Sequence, residues 1–431
     1  MTLAKLRFCL CSTFYPPYGS DADAAYVQAL AVALARLGHE VTVLHNPDAY
    51  EVLSGEKVTE PYATHAGLTI RQVTTSLKTG SLLAVQQTGR AWAQWRALRE
   101  CFRQPFDVVH YYNVSLLGGP ELFSLGHSTL KLAGLSDHWL ICPMHILWKY
   151  TGEVCDTPQC VRCSLRNGRP PQFWRYTRVL ETMSRHVDAF LGPSLFTMRK
   201  HWERGFCNPM IHLPSLSPMP MRSRSALTAS PVTRPYFLCT GRLEYYKGFQ
   251  DVIPLFRDLS DCASLIICGQ GAYERELRFL AEGMANVHFT GALSRDQPQV
   301  LYENAIATIV PTLAYQTFCH STAESFSAGT PVIARKLGPA EEIITEHGGG
   351  ILYTIPEELR TAIAKMIRDD STRLELGRQA ITAHSLEFSE DVYLRRYLDI
   401  VGELFTRKAA GRSIRAGEAG TMSLAGRTLL V

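Results

Sequence analysis

A short stretch places two cations between a predicted strand and a predicted helix. The apolar run that starts at Tyr236 ends at Gly241, Arg242 and Lys247 follow, and Gly248 precedes a helical pattern. The free N–H groups of a helix start, the planar fork of an arginine and the point charge of a lysine can together hold a diphosphate. The alternative is a surface turn with two solvated cations, and the stretch alone leaves both readings open.

Four cysteines follow one another with twelve, four and two residues between them. They are Cys142, Cys155, Cys160 and Cys163. Thiolates at such spacings suit a structural zinc site, which would hold together a loop that has little core of its own. The spacings are also similar to those of an iron–sulfur cluster, and thiols without a metal are the third reading.

Arginines alternate with aromatic side chains over residues 149–178. Such a run can rest on an anionic membrane surface or grip a phosphorylated acceptor, and the plain alternative is a solvated face. Asp21 and Asp23 form the pattern of a metal-binding pair, but they stand in the first turn of a predicted helix. Acids there complement the helix dipole and cap free N–H groups, so we favour the capping role. His110, within a buried strand, could line the cleft or be a satisfied core histidine, and we favour the core role.

The elements that must position these residues alternate as strand and helix. In the first half, strands are predicted at residues 6–12, 41–45, 106–110 and 187–191. The helical spacing of Val27, Leu30, Leu34 and Leu37 completes a βαβ opening, which predicts a doubly wound parallel sheet. In the second half, strands are predicted at residues 237–240, 264–268, 287–289, 307–310 and 332–334. Helices are predicted there at residues 249–259, 274–282, 297–303, 321–328 and 356–367.

The sequence therefore predicts an α/β protein of two domains. The first covers residues 1–214 and includes a cysteine-rich insertion at 142–178. A linker rich in serine and proline follows at 215–235, and the second domain covers residues 236–385. A helix at 386–405 is expected to pack back on the first domain, and residues 406–431 are expected to form a flexible tail.

Length and composition support this division. A chain of 431 residues exceeds what one hydrophobic core usually supports, and 46% hydrophobic with 19% charged residues is ordinary for a globular protein. A net charge of +4 is too small to argue for nucleic acid as a partner. The sequence has no apolar run of about 18 residues, and its first eleven residues lack the regions of a signal peptide. We therefore expect a cytoplasmic protein with reduced cysteines.

The second domain resembles the retaining family 4 glycosyltransferases of the GT-B fold. The matching motifs occur in family order as Gly241-Arg-Leu-x3-Lys-Gly248, Ile267-Cys-Gly-Gln-Gly271, Val287-His-Phe-Thr-Gly291, Pro311 through Glu324, and Ala328-Gly-Thr-Pro-Val-Ile333. The first domain matches through its βαβ opening and through Asp188-Ala-Phe-Leu-Gly-Pro-Ser194. The motifs are specific as a set, and the resemblance extends to about residue 405.

The resemblance implies two Rossmann-like domains that face each other across a cleft. It implies transfer of a sugar, with retained configuration, from a UDP-, GDP- or ADP-sugar to a glycan or polyprenyl-linked acceptor. We expect such a reaction to serve cell-surface polysaccharide synthesis, with peripheral contact of the enzyme with the inner membrane surface. The cysteine set also occurs in a subset of these relatives, which supports the hypothesis of a metal site without identifying the metal.

The resemblance also assigns roles to individual residues. Arg242 and Lys247 would stabilise the departing diphosphate, and Glu324 would hold the ribose hydroxyls. The backbone of Phe318, Cys319 and His320 would contact the donor sugar. The remaining donor contacts would come from Gly19, Ser20, Gly241, Gly269 and Leu293.

Two departures from the family pattern affect the expected chemistry. The first glutamate of the family's Glu-x7-Glu motif is Gln316 here, which keeps hydrogen bonds but loses the charge. In residues 135–139, Ser136 stands at the usual active-site histidine. Either His138 substitutes for it, with Asp137 as a further catalytic candidate, or the sugar is held differently, or activity is lost. These departures leave a second hypothesis open, a catalytically silent GT-B protein that binds nucleotide or scaffolds a biosynthetic complex.

Overall fold

The computed structural model describes residues 5–19, 22–126, 128–216, 234–293, 297–411, 421–424 and 427–430. The chain forms two compact units. Unit 1 comprises Met1–Ile146, Thr157–Pro214 and Tyr393–Val431, and unit 2 comprises Leu147–Asp156 and Ser215–Val392. Each unit is therefore assembled from separate stretches of the chain.

The strands are mostly short, as expected for parallel sheets covered by helices. They are β1 (Arg7–Ser12), β2 (Glu40–His45), β3 (Leu68–Gln72), β4 (Phe106–Asn113), β5 (Ser128–Gly134), β6 (Ala189–Gly192), β7 (Met210–His212), β8 (Tyr236–Thr240), β9 (Ser264–Cys268), β10 (Val287–Gly291), β11 (Ala307–Val310), β12 (Val332–Arg335), β13 (Gly350–Tyr353), β14 (Thr421–Leu424) and β15 (Arg427–Leu430).

Helices connect most of these strands. They are α1 (Ala22–Arg36), α2 (Pro47–Ser54), α3 (Lys78–Thr88), α4 (Trp95–Cys101), α5 (Cys160–Arg166), α6 (Val179–Ser184), α7 (Leu195–Glu203), α8 (Phe249–Val252), α9 (Glu274–Leu280), α10 (Gln297–Asn304), α11 (His320–Ser327), α12 (Pro339–His347), α13 (Pro356–Arg368), α14 (Asp370–Ala383) and α15 (Glu390–Ala409). Shorter 3-10 helices span Gly119–Ser124, Phe173–Tyr176, Tyr245–Lys247 and Ile253–Leu259, and a π-helix spans His384–Phe388. Among the residues described, we find no helix with the length and hydropathy required to cross a bilayer.

Both units are built on a doubly wound parallel sheet, so this prediction is confirmed. In unit 1 the described strands are ordered β14-β15-β7-β6-β5-β4-β1-β2-β3, and the seven from β7 to β3 are parallel. In unit 2 the described strands are ordered β10-β9-β8-β11-β12-β13, and all of these are parallel. The carboxyl ends of neighbouring strands therefore share one edge in each sheet, which is where such folds bind ligands.

The central strands form because their residues are apolar on both faces. Every residue of β9, Ser-Leu-Ile-Ile-Cys, is buried, and the first four residues of β8 are buried as well. A parallel strand covered by helices on both sides requires this continuous pattern. In α1, Val27, Leu30 and Leu34 are buried as predicted, whereas Leu37 lies beyond the helix end and is exposed.

The helix predicted after Gly248 divides into two pieces. An α-helical turn covers Phe249–Val252, and a 3-10 helix covers Ile253–Leu259. Pro254 explains the change, because it has no N–H to continue the α-helical hydrogen bonds. The start of the element is still helical, so its free N–H groups lie next to the basic turn.

The last helix belongs to unit 1, where it packs through tyrosines. The hydroxyl groups of Tyr26 and Tyr393 are hydrogen-bonded. The Tyr397 ring stacks on His110 at 5.6 Å, and its hydroxyl lies 3.3 Å from Nδ1 of that histidine. His110 is buried, which lowers its pKa to about 3. It is thus a neutral core histidine, in line with the sequence interpretation.

The region predicted as a flexible tail contains regular structure. Helix α15 extends to Ala409, and β15 pairs antiparallel with both β14 and β7. Two strands of four residues are too short to stand out in a segment rich in glycine, alanine and arginine. Residues 217–233, most of the predicted linker, and residues 412–420 lie outside the described part of the chain.

The strand ends of unit 2 are joined by close backbone contacts at glycines. Gly241 N–H donates to the Cys268 carbonyl at 3.0 Å, and Gly269 N–H donates to the Gly291 carbonyl at 2.9 Å. Gly269 has φ +140°, and a Cβ atom there would overlap the carbonyl oxygen of Gly241. Glycine is therefore required at this point by both backbone conformation and space.

We expect Gly269→Ala to lower the free energy of unfolding by about 2 to 4 kcal/mol, since it adds a steric overlap to an unfavourable φ. The matched control is Gly283→Ala, whose φ is +75° and whose Cβ would meet no atom within 4 Å. That variant should cost only about 1 kcal/mol. Urea denaturation of both proteins measures the difference, and equal losses would contradict the steric explanation.

Candidate functional site

The basic turn after β8 presents two cations from one loop. Arg242 is exposed and Lys247 is half-buried, at the end of the 3-10 helix Tyr245–Lys247. A Cβ atom on Gly241 would lie 3.9 Å from Lys247 Cε and Nζ, so the lysine side chain runs along this glycine. In the described residues, neither Arg242 nor Lys247 forms an ion pair with a carboxylate. The turn therefore holds positive charge that no acidic side chain of the described residues neutralises.

The start of α11 lies within electrostatic reach of this turn. Burial lowers the pKa of Lys247 to about 8, with a further lowering by Arg242 that the Cys319 thiol opposes. Burial lowers the pKa of His320 to about 4, and the charge of Lys247 contributes to that shift. Lys247 thus lies near the first N–H groups of α11, whose dipole adds positive potential at the same place. This combination suits an anion with several oxygens.

Phe318 and Cys319 contribute backbone rather than side chains to this region. Both side chains are buried, and Cys319 Sγ accepts a hydrogen bond from Thr322 Oγ1 at 2.9 Å. The Phe318 ring packs edge-on against His320 at 5.2 Å and against Phe388 at 5.8 Å. These contacts hold the loop before α11 in place, and the Cys319 carbonyl accepts the N–H groups of Thr322 and Ala323.

One turn further along α11, Glu324 is held by a tyrosine. Tyr302 Oη donates to Glu324 Oε2 at 2.6 Å and also lies 2.8 Å from Thr240 Oγ1 at the end of β8. Burial raises the pKa of Glu324, and the hydrogen bond from Tyr302 opposes the shift. The sequence interpretation did not include Tyr302, because the sequence does not show that its hydroxyl reaches Glu324.

The remaining predicted donor residues of unit 2 lie in loops at the same edge of the sheet. Gln316 is half-buried in the loop between β11 and α11, four residues before His320. Gly269 follows β9 directly, and Leu293 packs on the buried cluster formed by β8, β9 and α10. The structure thus brings Gly241, Arg242, Lys247, Gly269 and the start of α11 to one set of strand ends.

In unit 1, the predicted phosphate loop is only partly described. Gly19 has φ +121°, its N–H donates to the Pro17 carbonyl at 3.0 Å, and a Cβ atom there would lie 3.0 Å from Phe14 Cβ. Ser20 and Asp21 lie outside the described residues. Asp23 stands in the first turn of α1, the position that the capping interpretation requires. The loop conformation at Gly19 is one that glycine adopts readily.

His138 occupies a different environment from the one expected of an active-site residue. It is 1% exposed, its ring lies 5.6 Å from that of His201, and burial lowers its pKa to about 3. Neither ring nitrogen has a hydrogen-bond partner within the part of the chain that the structure describes. In this conformation His138 has no access to a substrate, because neighbouring side chains enclose it.

Asp137 is instead paired with a histidine that the sequence interpretation missed. His145 Nδ1 lies 2.7 Å from Asp137 Oδ2, and Asp137 Oδ1 accepts the Trp139 N–H at 2.8 Å. Burial raises the pKa of Asp137, but His145 and the Trp139 amide outweigh this and leave it below its ordinary value. His145 has φ +69°, a conformation that is unusual for a residue with a Cβ atom. The spacing of residues in the sequence does not predict this backbone conformation of His145.

The metal prediction for the four cysteines is not supported. Cys142, Cys155 and Cys163 are buried, and Cys160 is partly exposed. Among the residues that the structure describes, no group of three or more His, Cys, Asp or Glu side chains has the geometry to hold a metal ion. Arg175 lies close to Cys142 and Cys160, and burial lowers the pKa of this arginine to about 10. The spacing of the cysteines in the sequence could not reveal that Arg175 lies close to two of them.

Comparison with known proteins identifies the second unit. Residues 224–383 match the family model described as glycosyl transferases group 1. The resemblance inferred from the sequence motifs is therefore confirmed, and the matched residues lie within unit 2.

A curated relative matches a longer stretch. A GDP-mannose-dependent alpha-mannosyltransferase of Corynebacterium glutamicum is 26% identical over 281 residues, which cover 63% of this chain and 61% of the relative. The chain thus spans about three-fifths of the length of this curated relative.

Solved structures share the fold over almost the whole chain. Sucrose-phosphate synthase from Thermosynechococcus elongatus superposes with a TM-score of 0.70 at 16% identity, covering 94% of this chain and 100% of that one. HepE of Anabaena, solved in complex with UDP-glucose, superposes with a TM-score of 0.63 at 15% identity, covering 94% and 100%. The two Rossmann-like units therefore have the GT-B architecture.

We expect Tyr302→Phe to destabilise the protein more at pH 8 than at pH 5. Because the folded pKa of Glu324 is raised, stability from this group is greatest below its unfolded pKa and is lost as pH rises through the folded pKa. The Tyr302 hydroxyl stabilises the ionised form, so its removal should cost about 1 to 2 kcal/mol at pH 8. Urea denaturation at both pH values tests this, and the pH dependence should vanish in a Glu324→Gln background.

Proposed function

We propose that this chain, whose second unit is a glycosyl transferases group 1 domain, is a retaining glycosyltransferase. It moves a sugar from a nucleotide-sugar to a glycan or polyprenyl-linked acceptor during cell-surface polysaccharide synthesis. It works in the cytoplasm, at the inner membrane surface. The observation that carries the proposal is the pair of cations, Arg242 and Lys247, which lie next to the start of α11 and have no carboxylate partner in the part of the chain that the structure describes.

The cations and the helix start supply the electrostatic part of catalysis. As the bond from the sugar to the diphosphate breaks, negative charge develops on the departing phosphate oxygen. Arg242 can hold two phosphate oxygens with its planar fork, and Lys247 adds a point charge from a partly desolvated position. The free N–H groups of α11 stabilise the same charge without reorganisation. This role accounts for positive charge in a turn where no described carboxylate pairs with it.

Glu324 and Gln316 fix the rest of the donor. The Glu324 carboxylate accepts hydrogen bonds from the ribose hydroxyls, and the hydrogen bond from Tyr302 keeps it oriented. Gln316 holds hydroxyl groups of the transferred sugar. A neutral amide there forms hydrogen bonds worth about 1 kcal/mol, against about 1.5 to 3 kcal/mol for an ionised partner.

Retention follows from attack on the face that the diphosphate leaves. The acceptor oxygen bonds to the anomeric carbon as the bond to the diphosphate breaks, and the acceptor proton passes to the departing phosphate oxygen. This route requires no enzymic nucleophile. A double displacement would need a carboxylate at the anomeric carbon, and Gln316 cannot serve as one.

The relatives suggest which donors to examine first. The Corynebacterium relative is named for GDP-mannose, and the Anabaena structure contains UDP-glucose. A GDP-sugar and a UDP-sugar are therefore the first two donors, and an ADP-sugar completes the panel.

A second candidate function is a silent protein that binds nucleotide or scaffolds a biosynthetic complex. Ser136 and Gln316 favour it, because both depart from the family pattern. The two candidates differ in turnover, so release of nucleoside diphosphate in the presence of a donor and acceptor lipids separates them.

We expect one nucleotide-sugar to raise the melting temperature of the wild type and to bind Arg242→Ala and Lys247→Ala about 10 to 100 times more weakly. Each variant loses charge-assisted hydrogen bonds worth about 1.5 to 3 kcal/mol. Thermal shift and calorimetry measure the effect. The matched control is Lys365→Ala, since Lys365 is an exposed cation elsewhere in unit 2.

Donor binding to both variants at wild-type affinity would contradict the assigned diphosphate site. Tight donor binding without hydrolysis or transfer would instead support the silent protein.

We also expect donor affinity to fall as pH rises above 8. The pKa of Lys247 lies near 8 in the free protein instead of 10.5, so the charge that grips the diphosphate is lost in this range. The fall should be at most about tenfold per pH unit. Without donor, the free energy of unfolding should instead rise between pH 8 and 10.5, because in this range only the unfolded chain still binds the proton of Lys247.

Calorimetry between pH 7 and 9.5 tests the expectation. Lys247→Arg keeps its charge throughout this range and should give a flat profile. A wild-type profile as flat as that of Lys247→Arg would show that Lys247 does not hold the diphosphate.

A further inference from the structure

We propose that unit 1 docks on an anionic lipid bilayer through one surface, which we call the basic aromatic surface. It is formed by Trp92, Arg162, Leu165, Arg166, Arg169, Phe173 and Tyr176. This inference deepens the membrane contact in the proposed function and rests on it, because it names the residues that would make that contact.

Helix α5 contributes a face that is both apolar and basic. Cys163 and Ser164 are buried on its inner side. Leu165 is 60% exposed and lies one turn after the exposed Val161, whereas Arg162 and Arg166 flank them one turn apart. Because residues four apart share a helix face, the leucine projects between cations. An amphipathic face of this composition suits the boundary between lipid headgroups and acyl chains.

The 3-10 helix Phe173–Tyr176 adds two aromatic rings to this surface. Phe173 is 59% exposed and Tyr176 is 63% exposed, although the segment itself is firmly attached. Between them, Trp174 is buried, and the Arg175 guanidinium donates to the carbonyls of Trp139 and Leu140. The exposed rings are therefore not needed to hold the segment in place. Their exposure on an ordered element points to a partner outside the protein.

Trp174 also joins this segment to a second exposed tryptophan. Its Nε1 donates to the Gln86 carbonyl at 3.0 Å, and a Cβ atom on Gly89 would lie 3.0 Å from Trp174 Cγ. Gln86 and Gly89 end α3, and the turn that follows exposes Trp92 to 65%. The two segments thus lie side by side in unit 1. Tryptophan and tyrosine are the aromatic residues that concentrate at membrane interfaces.

The charge of the surface selects an anionic partner. Between Asp156 and Glu181 the chain carries five arginines and no acidic residue, and the stretch from Lys78 to Arg99 has no acidic residue either. In the described residues, Arg162, Arg166 and Arg169 form no ion pair with a carboxylate. Cations next to exposed aromatic rings complement phosphatidylglycerol headgroups, where each arginine improves binding about fivefold.

The test is cosedimentation of the full-length protein with vesicles in the absence of any sugar donor. Wild type should bind vesicles of phosphatidylglycerol in phosphatidylcholine, release at high salt, and not bind pure phosphatidylcholine. The triple variant R162Q/R166Q/R169Q should bind roughly 100 times more weakly. Phe173→Ser and Trp92→Ser should each weaken binding about tenfold while the salt dependence remains.

Matched controls come from unit 2. R257Q/R275Q/R368Q removes the same charge from exposed positions, and Phe279→Ser removes a ring that is 74% exposed. Both should bind vesicles as the wild type does. Equal losses in the unit 2 triple variant, or equal binding of wild type to neutral vesicles, would overturn the proposal.

Three further outcomes distinguish the docking surface from a site for a phosphorylated acceptor and from the proposed function. Release by inorganic diphosphate at constant ionic strength would overturn the proposal in favour of a site for a phosphorylated acceptor. If vesicle binding is absent while the nucleotide-sugar still stabilises the protein, the docking surface fails and the proposed function stands. If vesicle binding follows the expected pattern while no donor binds, the proposed function fails instead.

Discussion

The backbone of unit 2 can bring its strand ends together only where side chains are missing. A Cβ atom at Gly269 would overlap the Gly241 carbonyl oxygen, and one at Gly248 would overlap the carbonyl oxygen of Pro311. These contacts fix the loops after β8, β9 and β11 against one another without any side chain. Arg242 and Lys247 consequently project from a turn whose position is set by peptide groups, which is the precision that diphosphate recognition requires.

Burial shifts the pKa values at the two ends of the candidate donor site in opposite directions. It lowers the pKa of Lys247 and raises that of Glu324, so the charged form of each is disfavoured in the free protein. The protein offsets this cost for Glu324 through Tyr302, whereas no carboxylate of the described chain pairs with Lys247. A bound diphosphate would supply the missing counter-charge. Because Glu324 already has a partner and Lys247 has none among the described carboxylates, a bound ligand would stabilise the charge of Lys247 most.

Much of the fold could be predicted because the central strands are apolar on both faces. Strands β9 and β11 have the predicted bounds, and β8 differs by one residue. Strand β5 was missed because Lys131 interrupts its apolar pattern, and only the structure shows that Lys131 Nζ reaches the Phe123 carbonyl. Strand β3 was missed because none of its residues is buried, so it lacks the apolar run of the central strands.

The residues of the candidate site likewise fall into those that could be predicted from the sequence and those that could not. Cations and glycines next to a strand could be recognised, since their neighbours in sequence determine their position. The Tyr302–Glu324 hydrogen bond and the Asp137–His145 pair could not, because they depend on how loops and helices pack. His138 is a different case. Its position in the sequence suggested a catalytic role, but the structure buries its side chain away from solvent.

The assignment of residues 393–409 to the first unit has a consequence for the order of folding during synthesis. Unit 2 is almost continuous in sequence, so residues 215–392 can form their parallel sheet and core soon after they leave the ribosome. Unit 1 must wait, because Tyr393 and Tyr397 pack on Tyr26 and His110. These contacts span more than 280 residues and carry a high loop-closure cost. The half of the protein that is synthesised first is therefore the half that is completed last.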